Sequence, residues 1–313
     1  MISTGSTGIS QTVRDLARAS MLQYAVDKLA FAQFAKPYEL KENEGDTYTW
    51  YRPTRIAPSL TNLESGVTPG ASQFGMDKVT ADASQYGAYV LYTDRVAKIP
   101  EVKLLDIGAK LLGENMSLVM DLLHRNNLDN NATTIIYANG RTSRGAVTSS
   151  DVITGSDIRK IRRKLTVNVA PRLSGGAGSK GRYVCIAHPN MEYDLQGLAE
   201  FTNPAYYQNQ TQISTGDVPQ LFAIEFIFTT LGTVKVGAGS SSADVYRSFI
   251  FGEEAFGGVD LKALQAQMIT KPFGSAGSSD PLEQRATQGW KDFVAQAILN
   301  ANWVVAYECA ATG

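Results

Sequence analysis

Histidine and cysteine are nearly missing from this chain, which has two of each in 313 residues. That scarcity removes most routes to catalysis, because histidine is the usual base near neutral pH and, with cysteine, a principal zinc ligand. Cys185 lies in YVCIA and Cys309 in WVVAYEC, two apolar strand-like runs with neither metal-ligand spacing nor a CxxC pair, so both read as small core residues. His124 ends a helical pattern, where a basic group suits the negative end of the helix dipole, and His188 precedes Pro189 and reads as a cap or turn residue. No HExxH or GxSxG occurs. The stretch GGAGSKG at 175–181 fails as a phosphate loop, since Ser179 separates Gly178 from Lys180 and the loop leads from a helix into a strand. No catalytic, metal or cofactor residue is assigned, and the expectation is a protein that is not an enzyme.

An excess of either charge is missing too. Twenty-nine basic and thirty acidic residues give a net charge of −1, so no global field would hold the chain on nucleic acid. Charged residues make up 19%, below the roughly 25% typical of soluble domains, which fits a surface partly covered by partners. No apolar run approaches the ~18 residues that mark a membrane span, and MISTGSTGIS carries neither a basic nor an apolar leader segment. The expectation is a chain made and kept in a cytoplasm, where the N-x-T triplets at Asn131 and Asn209 are chance matches.

What the chain does have is a long arm. Two strand-like runs, GDTYTWYRPTRI at 45–56 and MDKVTADASQYGAYVLYTD at 76–94, enclose the turn-rich stretch APSLTNLESGVTPGASQFG. Tyr48, Trp50 and Arg52 alternate with Thr47, Thr49 and Tyr51, the period of a strand. At about 3.3 Å per residue the first run reaches about 36 Å. A two-stranded ribbon is marginal alone in water, so it lies on something, and a neighbouring copy of the chain is the expected surface. Trp50 and Tyr51 are candidate anchors on that neighbour, with packing inside the hairpin as the other reading.

Before the arm, TVRDLARASMLQYAVDKLAFAQFA predicts a helix with Thr12 as N-cap and Pro37 as its stop, either a core helix or an arm on a neighbour. After Pro100, EVKLLDIGAKLLGENMSLVMDLLHRNN predicts a spine helix of about 40 Å, with its apolar side at Leu104, Leu105, Leu111, Leu112, Leu118 and Val119. Lys103, Asp106, Lys110, Glu114 and Asp121 are assigned to the solvent side. From about 150 helices and strands alternate: SDIRKIRRKLTVN and PNMEYDLQGLA as helices, RYVCIAH, AIEFIFTTL and VYRSFIF as strands, with SGGAGSKG and VGAGSSSAD as loop tips. The chain ends on the strand-like NWVVAYECA. In the first of these helices Ile158, Ile161 and Leu165 form a buried stripe, while Arg159, Lys160, Arg162, Arg163 and Lys164 cluster beside it. That cluster is either a solvated helix face or a local patch for nucleic acid or a partner's acidic surface.

The order of parts, N-terminal helix, hairpin arm, spine helix, α/β lobe and return strands, resembles the major capsid protein of tailed bacteriophages, with the Hong Kong 97-type fold. Within it the chain is similar to the N4-like capsid family, through NLESGVTPGASQFGMDKVTADASQYGAYVLYTD, VYRSFIFGEEAFGGVDL and DPLEQRATQGWKDFVAQAILNANWVVAYE. The resemblance implies an α+β fold with an N-terminal arm at 1–38, an extended loop at 39–95, a peripheral domain with the spine helix at 96–149, an axial domain at 150–250 and a return to the peripheral domain at 251–313. It implies hexamers and pentamers in an icosahedral shell around double-stranded DNA, and a place in the virion after assembly in the host bacterial cytoplasm. The arm would lie over the adjacent subunit, with Tyr48, Trp50, Tyr51, Arg52, Tyr86 and Tyr89 as its contact residues and Gly66, Pro69, Gly70 and Gly75 at its distal turn. Expected partners are a separate scaffolding protein, a portal, a candidate decoration protein and DNA held by non-specific contact; no membrane and no cofactor are expected. Lys78 and Asn62 lie in the arm, and no cross-link is assigned to them. A tail-tube or decoration component is the second reading, against which the long spine helix argues.

Overall fold

The structure is a computed structural model that describes residues 29–40, 46–58, 60, 62, 70–94, 104–173, 181–199, 220–261, 267–275 and 280–312. Its longest strand, β13 (Arg285–Ile298), reads RATQGWKDFVAQAI, and Ala286, Gln288, Trp290, Asp292 and Val294 are all buried. A period of two places these five on one face. Three segments pair antiparallel with it: β4 (Ser84–Thr93), β11 (Phe256–Leu261) and β12 (Gln267–Lys271). A fourth, β1 (Lys36–Leu40), adds to β11 in parallel and completes a five-stranded sheet.

The spine helix α1 (Leu104–Asn131) lies on the buried face of β13, where Trp290 Nε1 donates to Asn115 Oδ1 at 3.1 Å. Its 28 residues contain no proline, and at 1.5 Å each they span about 42 Å. Glycine permits the closest approach, since a β-carbon at Gly108 would sit 1.6 Å from the Tyr92 hydroxyl of β4. The helix continues past the Asn127 end expected from sequence. His124 is therefore two turns inside it, not at its terminus, and is buried against Phe256 with ring centroids 5.9 Å apart.

Asp121 also departs from the expected solvent side and is fully buried. Its carboxylate accepts the backbone amides of Ala30 at 3.2 Å, Phe31 at 2.7 Å and Ala32 at 2.8 Å. A buried carboxylate is tolerated when several donors converge on it. The same contact explains why the end of the expected N-terminal helix is not helical. Amides that a helix would satisfy internally are taken by Asp121, Ala32–Phe34 forms one 3-10 turn, and Pro37 sits within β1. Residues 12–28 of that expected helix, its Thr12 cap included, lie outside the described residues, as do Gly66 and Pro69 of the arm.

A second, seven-stranded sheet runs in the order β5 (Ile135–Tyr137), β14 (Val304–Cys309), β10 (Val245–Phe251), β6 (Tyr183–Ala187), β8 (Ile224–Phe228) and β7 (Gln220–Leu221), with β9 (Thr233–Lys235) also on β10. All five residues of β6 are buried, as a continuous apolar strand covered on both faces requires. Tyr183, Cys185 and Ala187 face helices α2 (Gly155–Val167) and α3 (Asn190–Gln196) through Ile158, Ile161, Leu165, Met191 and Leu195. Val184 and Ile186 face the other way, toward Phe31, Leu128 and Phe256. Both cysteines are free and buried, and burial pushes their thiol pKa values up.

The second arm run divides at Ala83. Met76–Asp82 forms β3, antiparallel to β2 (Thr47–Pro53), while the rest becomes β4 and joins β13. Among the described residues only β2 and β3 therefore pair with each other outside the two large sheets.

Two predictions arise here. Helix α2 ends in a Schellman motif, with Val169 N–H on Thr166 O and Ala170 N–H on Leu165 O, both at 3.0 Å. The left-handed position is filled by Val169 at φ 53°, a β-branched residue 80% exposed. Val169→Gly should stabilise the chain by about 1 kcal/mol in urea melts; no gain would show that the strain is relieved elsewhere. Burial lowers the His124 pKa from 6.5 to about 4. Unfolding then takes up a proton between those values, so stability is full above pH 6.5 and falls as pH drops toward 4, by about 3 kcal/mol. His124→Gln should flatten that segment of the pH–stability curve, whereas an unchanged slope would assign the loss to other groups.

Candidate assembly surfaces

The ribbon β2–β3 has two faces, set by its register. Tyr48 opposes Ala81, Trp50 opposes Val79 and Arg52 opposes Asp77; between them Thr49 opposes Thr80 and Tyr51 opposes Lys78. The first set turns inward onto the chain's own sheet. Ala81, Val259, Ala295 and Ala297 are buried there, with Tyr38, Tyr48, Trp50 and Val79 packed against them. The small alanines let the aromatic rings settle, with Tyr48 and Trp50 centroids 4.7 Å apart and Tyr38 and Trp50 5.6 Å apart. Arg52 pairs with Asp77 at 2.8 Å, a half-exposed bridge that contributes well under 1 kcal/mol. The ribbon is extended by Thr54, which exchanges hydrogen bonds with Gly75 at 2.8 and 2.9 Å.

The outward set is different in kind. Tyr51 is 64% exposed, and Ile56, Leu60, Phe74 and Met76 along the distal arm are exposed as well. A run of uncovered apolar side chains on one protrusion marks an interaction surface. On the sheet itself Tyr89 opposes Gly289, which opposes Ile269. Tyr89 is 75% exposed and borders a shallow groove of about 220 Å³ that Gly87, Ile269 and Gly289 also line. Tyr86 opposes Asp292 on the other face and is half-buried. The six arm residues read from sequence thus separate: Tyr48, Trp50 and Arg52 at the base, Tyr51 and Tyr89 outward, and Tyr86 toward α1.

The cationic helix α2 is built as its sequence pattern predicts. Thr154 caps it by accepting from the Asp157 amide at 3.2 Å, and Ile158, Ile161 and Leu165 are buried. Its cations are not equivalent. Lys160 pairs with Asp157 at 3.0 Å and Arg159 stacks 5.2 Å over Phe222. Arg162, Arg163 and Lys164 have no carboxylate partner among the described residues.

Sequence reasoning missed a buried ionic chain. Glu308 of β14, fully buried, receives two hydrogen bonds from Arg144 at 2.7 and 2.8 Å, and Arg247 Nε lies 3.4 Å from it. Arg247 also reaches Asp129 of α1 at 2.9 Å, and Asp129 takes Lys235 of β9 at 2.6 Å. The pairing with Glu308 holds the Arg144 pKa above its ordinary value. The one available signal was the lone carboxylate in VVAYEC, an otherwise apolar run. A second buried site, Asp151, accepts from Arg141 at 2.8 Å and from the Thr148 amide and hydroxyl, each at 2.8 Å. These bonds outweigh its burial and hold its carboxyl well below the usual range.

Among the described residues no group of three or more His, Cys, Asp or Glu is placed to hold a metal ion, and no described helix is long and apolar enough to cross a membrane. The structure matches the capsid of Ralstonia phage GP4 with a TM-score of 0.74, at 13% identity over 100% of this chain and 98% of that one. This is a phage capsid fold. The capsid of cyanophage P-SCSP1u matches with a TM-score of 0.72 at 13% identity, over 100% of this chain and 97% of that one. That of Helicobacter pylori bacteriophage KHP30 matches at 0.70 and 9% identity, over 99% of both chains. No protein-family model matches the chain, and no curated protein matches it. At these identities the capsid fold is carried by the arrangement of the sheets, spine helix and arm, with few residues in common.

The two faces of the arm give a paired prediction. Trp50→Ala should lower the stability of the isolated chain by about 2–4 kcal/mol, since it empties the aromatic base. Tyr51→Ala should leave chain stability within about 0.5 kcal/mol and weaken association only. Equal melting losses for the two would show that the faces are not divided in this way.

Proposed function

We propose that the chain is the major capsid protein of a tailed bacteriophage, of the Hong Kong 97-type fold, which assembles as hexamers and pentamers into an icosahedral shell around double-stranded DNA. One observation carries this reading: the capsid fold extends over the whole chain, arm included. The N4-like branch is the finer reading and rests on the sequence segments alone.

In the proposed shell the arm, 39–95, overlies the adjacent subunit with Tyr51 and the distal apolar residues outward, while its Trp50 base stays fixed to its own sheet. The α/β lobe at 150–250 is the axial domain, and α1 with the five-stranded sheet is the peripheral one. Each contact need only be modest, because every copy meets several neighbours and closure multiplies the contacts. Arg162, Arg163 and Lys164 supply a local, sequence-independent contact for packaged DNA in a chain with almost no net charge. Such a subunit needs no catalysis and no cofactor. A separate scaffolding protein, a portal and a decoration protein are the partners it implies, and the virion is its location.

Electron microscopy with sedimentation tests the proposal, on the chain expressed alone and with its phage's scaffolding protein. Closed shells in either preparation are the expected result. Helical tubes of constant bore, or a monomer under both conditions, would overturn it.

A further inference from the structure

Between α1 and the five-stranded sheet lies a cavity of about 490 Å³, with apolar walls from Met116, Met120, Pro37 and Val294 and polar groups from Asp292, His124 and the neutral amide of Gln296. Asp292 is 7% exposed, and the one hydrogen bond its carboxylate receives among the described residues comes from the backbone amide of Phe293 at 2.8 Å. No cation is paired with it there. Burial pushes the Asp292 carboxyl pKa up and keeps His124 neutral at physiological pH, so the imidazole brings no charge to balance the carboxylate. A single buried anion in an apolar pocket is costly in one chain, and buried charges of this kind are ordinarily paired.

We propose that this cavity is a socket for one basic side chain, lysine or arginine, inserted by a second copy of the chain. The alkyl stem would lie along Met116 and Met120, which adapt to irregular apolar shapes, and the charged head would meet Asp292. The chain has cations to offer: Arg55 and Lys78 of the arm are exposed and have no partner among the described residues. As to source, the proposal rests on the shell reading; the preference for a cation does not.

Two experiments on the full chain separate these. Propylammonium chloride is titrated into the unassembled protein against sodium chloride at equal ionic strength, and the His124 imidazole signals are followed by NMR, with His188→Gln removing the other histidine. The expected result is a saturable shift in the parent chain that Asp292→Asn abolishes. In the second experiment, sedimentation should show Asp292→Asn needing a concentration about tenfold higher or more to assemble, although its isolated chain melts no lower than the parent. Assembly indistinguishable from the parent, or a lower melting temperature, overturns the socket. A parent chain that never assembles while the amine response persists overturns the shell reading and the second copy as source, and leaves the cation site standing.

Discussion

The rest of the structure depends on one strand being held along both edges. Thr287–Lys291 of β13 is bonded to β4 on one edge and to β12 on the other. Doubly bonded, this stretch has no unpaired edge to offer solvent or another chain. Its two faces then divide the molecule. The even-numbered residues receive α1, and the odd-numbered ones, Ala295 and Ala297, receive the base of the arm. The spine helix and the β2–β3 ribbon lie on opposite faces, and their relative position is fixed by a strand that alternates every 3.4 Å or so.

Buried charge completes what the apolar packing begins. Packing alone lets a helix slide along a sheet, since methyl groups match in many registers, whereas a buried carboxylate missing a partner costs several kcal/mol. Asp129, taken by both Arg247 and Lys235, locks the end of α1 to β10 and β9. Asp121, about two turns earlier in α1, fixes where the N-terminal strand begins. Replacing both partners of such a contact by apolar groups can be neutral, so the role of these charges is to select one register.

Much of this was legible in the sequence, in proportion to how local the cause was. Ile158, Ile161 and Leu165 repeat at helical spacing and are buried as that spacing predicts. The alternation of Tyr48, Trp50 and Arg52 with Thr49 and Tyr51 gave the strand and its two faces, but not which face turns inward, since that depends on Ala295 and Ala297 more than two hundred residues away. Asp121 and His124 were misplaced for the same reason. Periodicity treats a charged or basic residue as solvated, and only the arrival of three amides from residues 30–32, or of Gly258 with its missing side chain, makes room for them inside. The division of the second arm run at Ala83 was invisible because TADASQY carries no glycine, proline or asparagine to mark a break.

In the proposed shell the division of the arm's faces lowers the cost of docking. A hairpin free along its whole length would lose much conformational entropy on docking, at about 1–2 kcal/mol per ordered residue, and a modest contact could not offset that loss. Here the Tyr38, Tyr48 and Trp50 cluster orders the base before any partner arrives. In the proposed shell the exposed Tyr51, Ile56, Leu60, Phe74 and Met76 are what remains to be fixed by a neighbour. Each contact can then be weak enough to form and break while a misplaced copy is corrected, and the sum over a closed shell still be large. The aromatic residues nearest the sheet serve the subunit, those beyond it are left for the proposed assembly, and a strand's period of two is what keeps the two sets apart.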